Sequence, residues 1–150
     1  MNLFLKTDMK ILITGASGFL GQHLIPRLER NHELLTPSSK DLDVSDYDAL
    51  QKYFYHYDFD TIIHLAARCG GIGANRKNPA VFFEKNLQMS TNILKLASEF
   101  DAIKKMITLG SVCSYPKFTE VPFKEENIWN GYPEETNAPY GIAKRALMMG

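Results

Sequence analysis

The sequence predicts an α/β fold built on a doubly wound parallel sheet. Two observations carry that expectation. Short continuous apolar runs at residues 11–13, 61–66 and 105–109 alternate with longer segments of helical periodicity. Strands apolar on both faces belong to a parallel sheet covered by helices. A glycine-rich turn also joins the first of these runs to the first helical segment.

The elements follow in order. Ile11-Leu12-Ile13 is bounded by a glycine turn and reads as a buried strand. Phe19, Leu20, His23, Leu24 and Leu28 recur at helical spacing, with Arg27, Glu29 and Arg30 on the wet side. Pro26 is expected to kink that helix or to sit near its first turns. Residues 33–36 form a second strand, ended by Pro37-Ser38-Ser39. Ser45-Asp46-Tyr47-Asp48 can cap a helix running through Tyr57, and residues 61–66 make the third strand. A long helix starts at Asn78-Pro79-Ala80 and ends near Phe100, with Phe82, Phe83, Leu87, Ile93, Leu94 and Leu96 as its apolar members. Residues 105–109 are the fourth strand. Residues 114–139 carry four prolines and read as loop, and residues 140–149 return to helix.

Composition narrows the function. The 150 residues are 45% hydrophobic and 11% aromatic, values of one globular domain rather than a disordered tail. Seventeen basic residues balance seventeen acidic ones, so no basic excess exists for gripping nucleic acid. No apolar run approaches the roughly 20 residues that span a bilayer, and residues 1–8 lack the apolar stretch of a secretory signal. Two cysteines make no disulfide framework, which points to a reducing, cytoplasmic setting. No His, Cys and carboxylate cluster has metal-binding spacing. Tyr53, Phe54, Tyr55, Tyr57 and Phe59 read as core and packing surface and His64 as a satisfied core histidine, while Cys69, in a glycine-rich loop at the functional end of the sheet, reads as a small packing residue in preference to one that approaches the substrate.

Between the first strand and first helix stand Thr14-Gly15-Ala16-Ser17-Gly18-Phe19-Leu20-Gly21. Glycines at 15, 18 and 21 supply a tight turn, a close backbone approach to a pyrophosphate and close helix packing, the Rossmann-type arrangement. The pyrophosphate would rest on the amides at the helix N-terminus. A loop needing glycine only for positive φ would show the same pattern. At the end of the second strand, where NAD sites place a carboxylate, stand Ser38, Ser39 and Lys40, with none until Asp41. Hydroxyls and an ammonium suit a 2′-phosphate, so NADP is favoured over NAD, unless these are merely turn residues.

After the fourth strand comes Ser111, and the last helix opens with Tyr140-Gly141-Ile142-Ala143-Lys144. A tyrosine and lysine four apart share a helix face, and a nearby ammonium lowers the phenol toward a useful range for proton transfer. Ser111 can hydrogen-bond the carbonyl that the tyrosine protonates. Alone, such a pair is as well explained by a solvent-facing helix. Cys113, taken alone, is a small buried hydrophobe.

Together these residues resemble the extended short-chain dehydrogenase/reductase family, with its Thr-Gly-x-x-Gly-x-x-Gly loop and its Ser…Tyr-x-x-x-Lys triad. Gly70-Gly71-Ile72-Gly73-Ala74-Asn75, the run from Gly110 to Lys117 and Glu135-Thr136-Asn137-Ala138-Pro139-Tyr140 are similar to the branch that works on GDP-4-keto-6-deoxy-mannose. The resemblance implies epimerisation of two carbons flanking a ketone, then reduction of the ketone by NADPH to give GDP-L-fucose. It implies Ser111, Tyr140 and Lys144 as the reductive triad and Cys113 as an epimerisation acid/base. Cofactor contacts are implied at Gly15, Ala16, Ser17, Gly18, Phe19, Leu20 and Gly21, at Ser39, Lys40, Asp41, Leu42, Asp43 and Val44, and at Leu109, Gly110, Ser111, Val112 and Lys144. It further implies a homodimer through the helices holding residues 82–100 and Tyr140.

The family's histidine partner for the cysteine lies beyond residue 150, and His23, His32, His56 and His64 do not match it. The expected picture is a Rossmann-type NADP-binding domain over residues 1–150, truncated before the last strands and the C-terminal substrate lobe. Competing readings are a catalytically incomplete NADP-binding fragment and another nucleotide-sugar epimerase or dehydratase. Cys113 speaks against the last.

Overall fold

Apolar β-branched and leucine side chains fill the centre of each strand, and their alternation assigns the faces of the sheet. The computed structural model describes residues 8–150, so the reading of the first seven residues as lacking a signal lies outside them. Strands β1 (Lys10–Thr14), β2 (Glu33–Leu35), β3 (Thr61–His64) and β4 (Lys105–Thr108) form one parallel sheet in the order β2-β1-β3-β4. Leu12 pairs with both Leu35 and Ile62, and Ile63 pairs with Ile107. Ile11, Leu12, Ile13 and Ile62 are fully buried, whereas β4 is an edge strand that leaves Ile107 exposed. The α/β parallel-sheet expectation holds.

The chain folds as two compact units, one of Met1–Ala66 with Lys95–Leu109 and one of Ala67–Leu94 with Gly110–Gly150. The first contains the whole sheet. Helix α1 (Phe19–Leu28) packs Leu24, Ile25 and Leu28 onto Ile11, Ile13, Ala16 and Ile63. Helix α2 (Tyr47–His56) belongs to the opposite crossover, because right-handed connections to either side of β1 fall on opposite faces. Its Asp46 cap accepts a hydrogen bond from the Ala49 amide at 3.0 Å. Phe54 packs edge-on to Phe59 and Phe100. Of the aromatic group expected in the core, Phe54 and Phe59 are buried but Tyr55 is 75% exposed. These rings, with Lys10 and Asp60, line a cleft of about 390 Å³ at the amino ends of β1 and β3.

Two helix faces differ from the expected ones. Phe19 is 83% exposed, and Leu20 and His23 also face outward. The inward stripe of α1 is the buried Gly21 with the partly buried Leu24, Ile25 and Leu28, of which Leu24 and Leu28 were expected. Its rotation is set by Gly21, where a Cβ would lie 2.2 Å from the Ala16 carbonyl oxygen. Pro26 sits in the last turn of α1, where its missing amide removes one hydrogen bond and the helix continues to Leu28.

Helix α3 (Ile72–Lys77) lies in the second unit, over residues to which the sequence assigned no element. The long helix α4 (Pro79–Glu99) runs as expected, but Phe83 is exposed and the buried face is Phe82, Asn86, Ser90, Ile93 and Leu96. Two polar residues stand in that stripe, and apolar periodicity cannot see them. Helix α5 (Ala138–Ala146) follows a loop containing 3₁₀ turns at Val112–Ser114 and Glu125–Trp129.

Leu12→Ala should cost about 2–5 kcal/mol and Asp46→Ala about 1 kcal/mol, read as shifts in urea midpoint at unchanged slope.

Candidate functional site

In the first unit the chain turns from β1 to β2 on one side and then crosses to β3 on the other. The carboxyl ends of β1 and β3 therefore flank the switch point, where open α/β sheets bind ligands. Gly15 leaves β1 at φ 73°, and a Cβ there would lie 2.6 Å from the Ala66 amide nitrogen. Only glycine meets both demands. The Gly18 amide donates to the Gly15 carbonyl at 3.0 Å, and Gly18 caps α1 with no side-chain hydrogen bond. Ser17, Gly18, Phe19 and Leu20 are exposed while Ala16 and Gly21 are buried. The result is a backbone cradle at a helix N-terminus with no side chain over its amides, which fits a dinucleotide pyrophosphate.

The segment after β2 alternates, with Leu42 and Val44 buried and Ser39, Lys40, Asp41 and Asp43 exposed. Ser38 departs from expectation. Its hydroxyl and amide both donate to Asp41 Oδ2, at 2.6 and 3.1 Å, so it closes its own turn rather than facing outward. The same hydrogen bonds hold the Asp41 carboxyl below its ordinary range. Lys40 and Ser39 remain outward. His64 is buried as expected, its Nδ1 2.7 Å from the Thr14 hydroxyl of the neighbouring strand.

The second unit brings Ser111, Cys113, Tyr140 and Lys144 together. Leu109 closes the β4 segment of the first unit, and Gly110 and Val112 sit exposed on either side of Ser111. Ser111 caps the 3₁₀ turn, its Oγ accepting from the Cys113 amide at 3.2 Å. Helix α5 lies against that turn without a spacer, since a Cβ on Gly141 would fall 2.0 Å from the Cys113 carbonyl oxygen. The Ser114 hydroxyl donates to the Gly141 carbonyl at 3.0 Å, and the Arg145 guanidinium donates to the Ser114 carbonyl. Arg145 also stacks over Trp129, a residue with no sequence-level role. These contacts set Tyr140, the residue before Gly141, against Ser111.

Burial pushes the Tyr140 phenol above its ordinary range. The neighbouring Cys69 and Cys113 thiols push the same way, and the Ser111 hydroxyl opposes them. The expected lowering by Lys144 is not found: burial is the largest cause acting on the phenol and raises it, and the one opposing group is Ser111. Lys144 is itself 3% exposed, and its burial lowers the ammonium from the ordinary lysine range.

Sequence reasoning missed three residues. Cys69, read as packing, is exposed with its sulfur 3.8 Å from the Tyr140 oxygen. Its position in a glycine-rich loop just after β3 was the available signal. Asn86 is 2% exposed and clamps the backbone of Arg68, accepting from its amide at 2.9 Å and donating to its carbonyl at 3.0 Å. Gly141, between the tyrosine and the lysine, carried no expectation of its own. Among the described residues, no group of three or more His, Cys, Asp or Glu could hold a metal, and no helix is long and apolar enough to cross a membrane.

A parallel sheet with a glycine cradle at its switch point, together with a serine at a 3₁₀ turn and a Tyr and Lys on the helix packed against it, defines a dinucleotide-dependent protein of the short-chain dehydrogenase/reductase type. The chain belongs to the NAD dependent epimerase/dehydratase family, whose model matches residues 11–149. It is 40% identical over 137 residues to a GDP-L-colitose synthase of Yersinia pseudotuberculosis and 34% identical over 142 residues to a GDP-L-fucose synthase of Escherichia coli K12. These alignments cover 91% and 93% of the chain but 44% of each relative, so the chain spans less than half the length of the curated relatives it matches. Among solved structures it resembles a GDP-mannoheptose C4 reductase from Campylobacter jejuni with NADP bound, with a TM-score of 0.88 and 27% identity over 95% of this chain and 45% of that one. A GDP-L-fucose synthetase from Naegleria fowleri bound to NADP gives 0.83 and 35%, over 96% of this chain and 43% of that one.

The buried Lys144 yields a stability prediction. Its folded value is lowered, so the folded chain holds this proton less tightly than the unfolded chain does. The charged form therefore costs stability at neutral pH, and the cost fades as pH rises toward the ordinary lysine value of about 10.4. Lys144→Met should be more stable than the parent by about 1 kcal/mol near neutrality, with the gap narrowing in alkaline buffer, as read by urea unfolding at both pH values.

Proposed function

We propose that this chain is the NADP(H)-binding and proton-handling part of a GDP-keto-sugar epimerase/reductase of the GDP-L-fucose synthase type. The observation that carries the reading is the convergence of Ser111, Cys113 and Tyr140 in one unit, with Lys144 buried on the same helix. The Gly15 to Gly21 cradle would hold the pyrophosphate. Ser39 and Lys40 would face the 2′-phosphate, and the nearest carboxylate, Asp41, is already engaged by Ser38. Leu109, Gly110 and Val112 would border the nicotinamide side. The relatives of known structure with NADP bound support the choice of NADP over NAD.

Each side chain then has a task. When bound, the reduced nicotinamide supplies hydride to the sugar ketone. Ser111 accepts from the Cys113 amide and hydrogen-bonds the Tyr140 oxygen with its hydroxyl, which would turn from the phenol to donate to the ketone oxygen. Tyr140 keeps its proton at neutral pH because burial disfavours the phenolate, as an acid catalyst requires. The Lys144 ammonium, on the same helix face, stabilises the phenolate left after transfer and would hold the ribose hydroxyls. Cys113 would exchange a proton with the carbon beside the ketone, whose acidity the carbonyl raises. The sugar-gripping contacts and the second acid/base would come from outside these residues.

The test mixes the chain with NADPH and GDP-4-keto-6-deoxy-mannose and follows the nicotinamide absorbance. The expected result is substrate-dependent oxidation that falls about 10²–10⁴-fold in Tyr140→Phe. Equal rates in the two proteins would remove Tyr140 from the reaction. NADPH binding without oxidation would leave a binding chain, not an enzyme.

A further inference from the structure

Cys69 lies outside the Ser, Tyr and Lys arrangement, yet the fold invests in its position. It follows Arg68, whose amide and carbonyl are both held by the buried Asn86 side chain at 2.9 and 3.0 Å. It precedes Gly70, where a Cβ would lie 2.7 Å from the tip of the buried Phe82 ring. Asn86 and Phe82 sit one turn apart on α4, and the Asn86 amide also donates to the Phe82 carbonyl at 2.7 Å. The backbone is thus fixed on both sides of Cys69 by one rigid helix. What that fixation delivers is an exposed thiol 3.8 Å from the Tyr140 oxygen, within hydrogen-bond reach for sulfur.

We propose that Cys69 is a positioning residue for Tyr140: its thiol contacts the phenol oxygen and holds it in place until a ketone oxygen arrives. This rests on the reading of Tyr140 as the proton donor. The groups acting on the phenol are Cys69 on the loop before α3 and Ser111 and Cys113 on the 3₁₀ turn, and Lys144 follows one turn later on the phenol's own helix. Of these, Cys69 and Cys113 can become anionic. Negative charge on either would oppose the phenolate, and both thiols push the phenol upward. The sulfur is also solvent-exposed, so an entering substrate oxygen can replace it at the phenol without displacing the clamp. Loss of the thiol should therefore loosen Tyr140's hold on its proton while leaving α5 and its packing in place.

The experiment labels the chain with [¹³Cζ]tyrosine, assigns the Tyr140 resonance with Tyr140→Phe, and follows its titration in the parent, Cys69→Ala and Cys69→Ser. The expected result is that Tyr140 begins to ionise about one pH unit lower in Cys69→Ala than in the parent. Cys69→Ser keeps a hydrogen-bonding group but cannot ionise in this range, so it should show the same downward shift and serves if the alanine variant does not fold. Titrations that superimpose on the parent in the folded variants would overturn the proposal. The readout needs neither substrate nor turnover, so it is separable from the oxidation assay: Tyr140 can fail as the donor while the coupling persists, and the reverse.

Discussion

The loop that leaves β1 has room for nothing but backbone. At Gly15 the chain adopts positive φ and passes so close to the Ala66 amide that a Cβ could not be accommodated. This contact ties the ends of β1 and β3 together at the switch point of the sheet. It also determines how α1 begins, because the turn that follows presses Ala16 against Gly21 and thereby fixes the rotation of the helix. Leu24, Ile25 and Leu28 then face the sheet, and Phe19 and Leu20 are left outside at the mouth of the cradle. Their exposure is a consequence of backbone packing, not of poor hydrophobic design. A large side chain at Gly15 would disturb the strand end, the helix and the cradle at once.

The second unit uses the same device. Gly141 admits the Cys113 carbonyl directly against α5, and Ser114 and Arg145 fasten the two segments by hydrogen bonds to backbone oxygens. The phenol of Tyr140 and the hydroxyl of Ser111 meet because two stretches of main chain are in contact, so their separation does not depend on flexible side chains. The arrangement has a stability cost. It buries an ammonium at Lys144 and half-buries a phenol, and each would be more comfortable in water. Function-first packing of this kind is the expected origin of a site less stable than its surroundings.

Much of this was legible in the sequence. Apolar runs located three of the four strands and residues 33–36 were read as the other, Asp46 marked the start of α2, and the glycine spacing located the cradle. The residues Ser111, Cys113, Tyr140 and Lys144 were identified as a set, and the chain does bring them into one unit. What was not legible has a common cause: side chains whose job is to hold backbone. Asn86 and Ser90 occupy a helix stripe where a hydrophobic pattern expects leucine, and they are tolerated because backbone groups satisfy them. Ser38 looked like a phosphate ligand but is captured by Asp41 three residues on. Cys69 was judged by its type, and its proximity to Tyr140 arises from a tertiary clamp 17 residues away on α4 that no local pattern encodes.

On the proposed function, the cradle after β1 would bind a phosphorylated nicotinamide dinucleotide and the segment after β2 would read its 2′-phosphate. The most direct measurement is an amide NMR titration of the ¹⁵N-labelled chain with NADPH, with NADH as the comparison. Shifts concentrated at residues 15–21 and 39–44, reached at lower concentration with NADPH than with NADH, are the predicted result. Shifts centred instead on the aromatic cleft around Phe54, Tyr57 and Phe100, or a spectrum unchanged by NADPH, would contradict it.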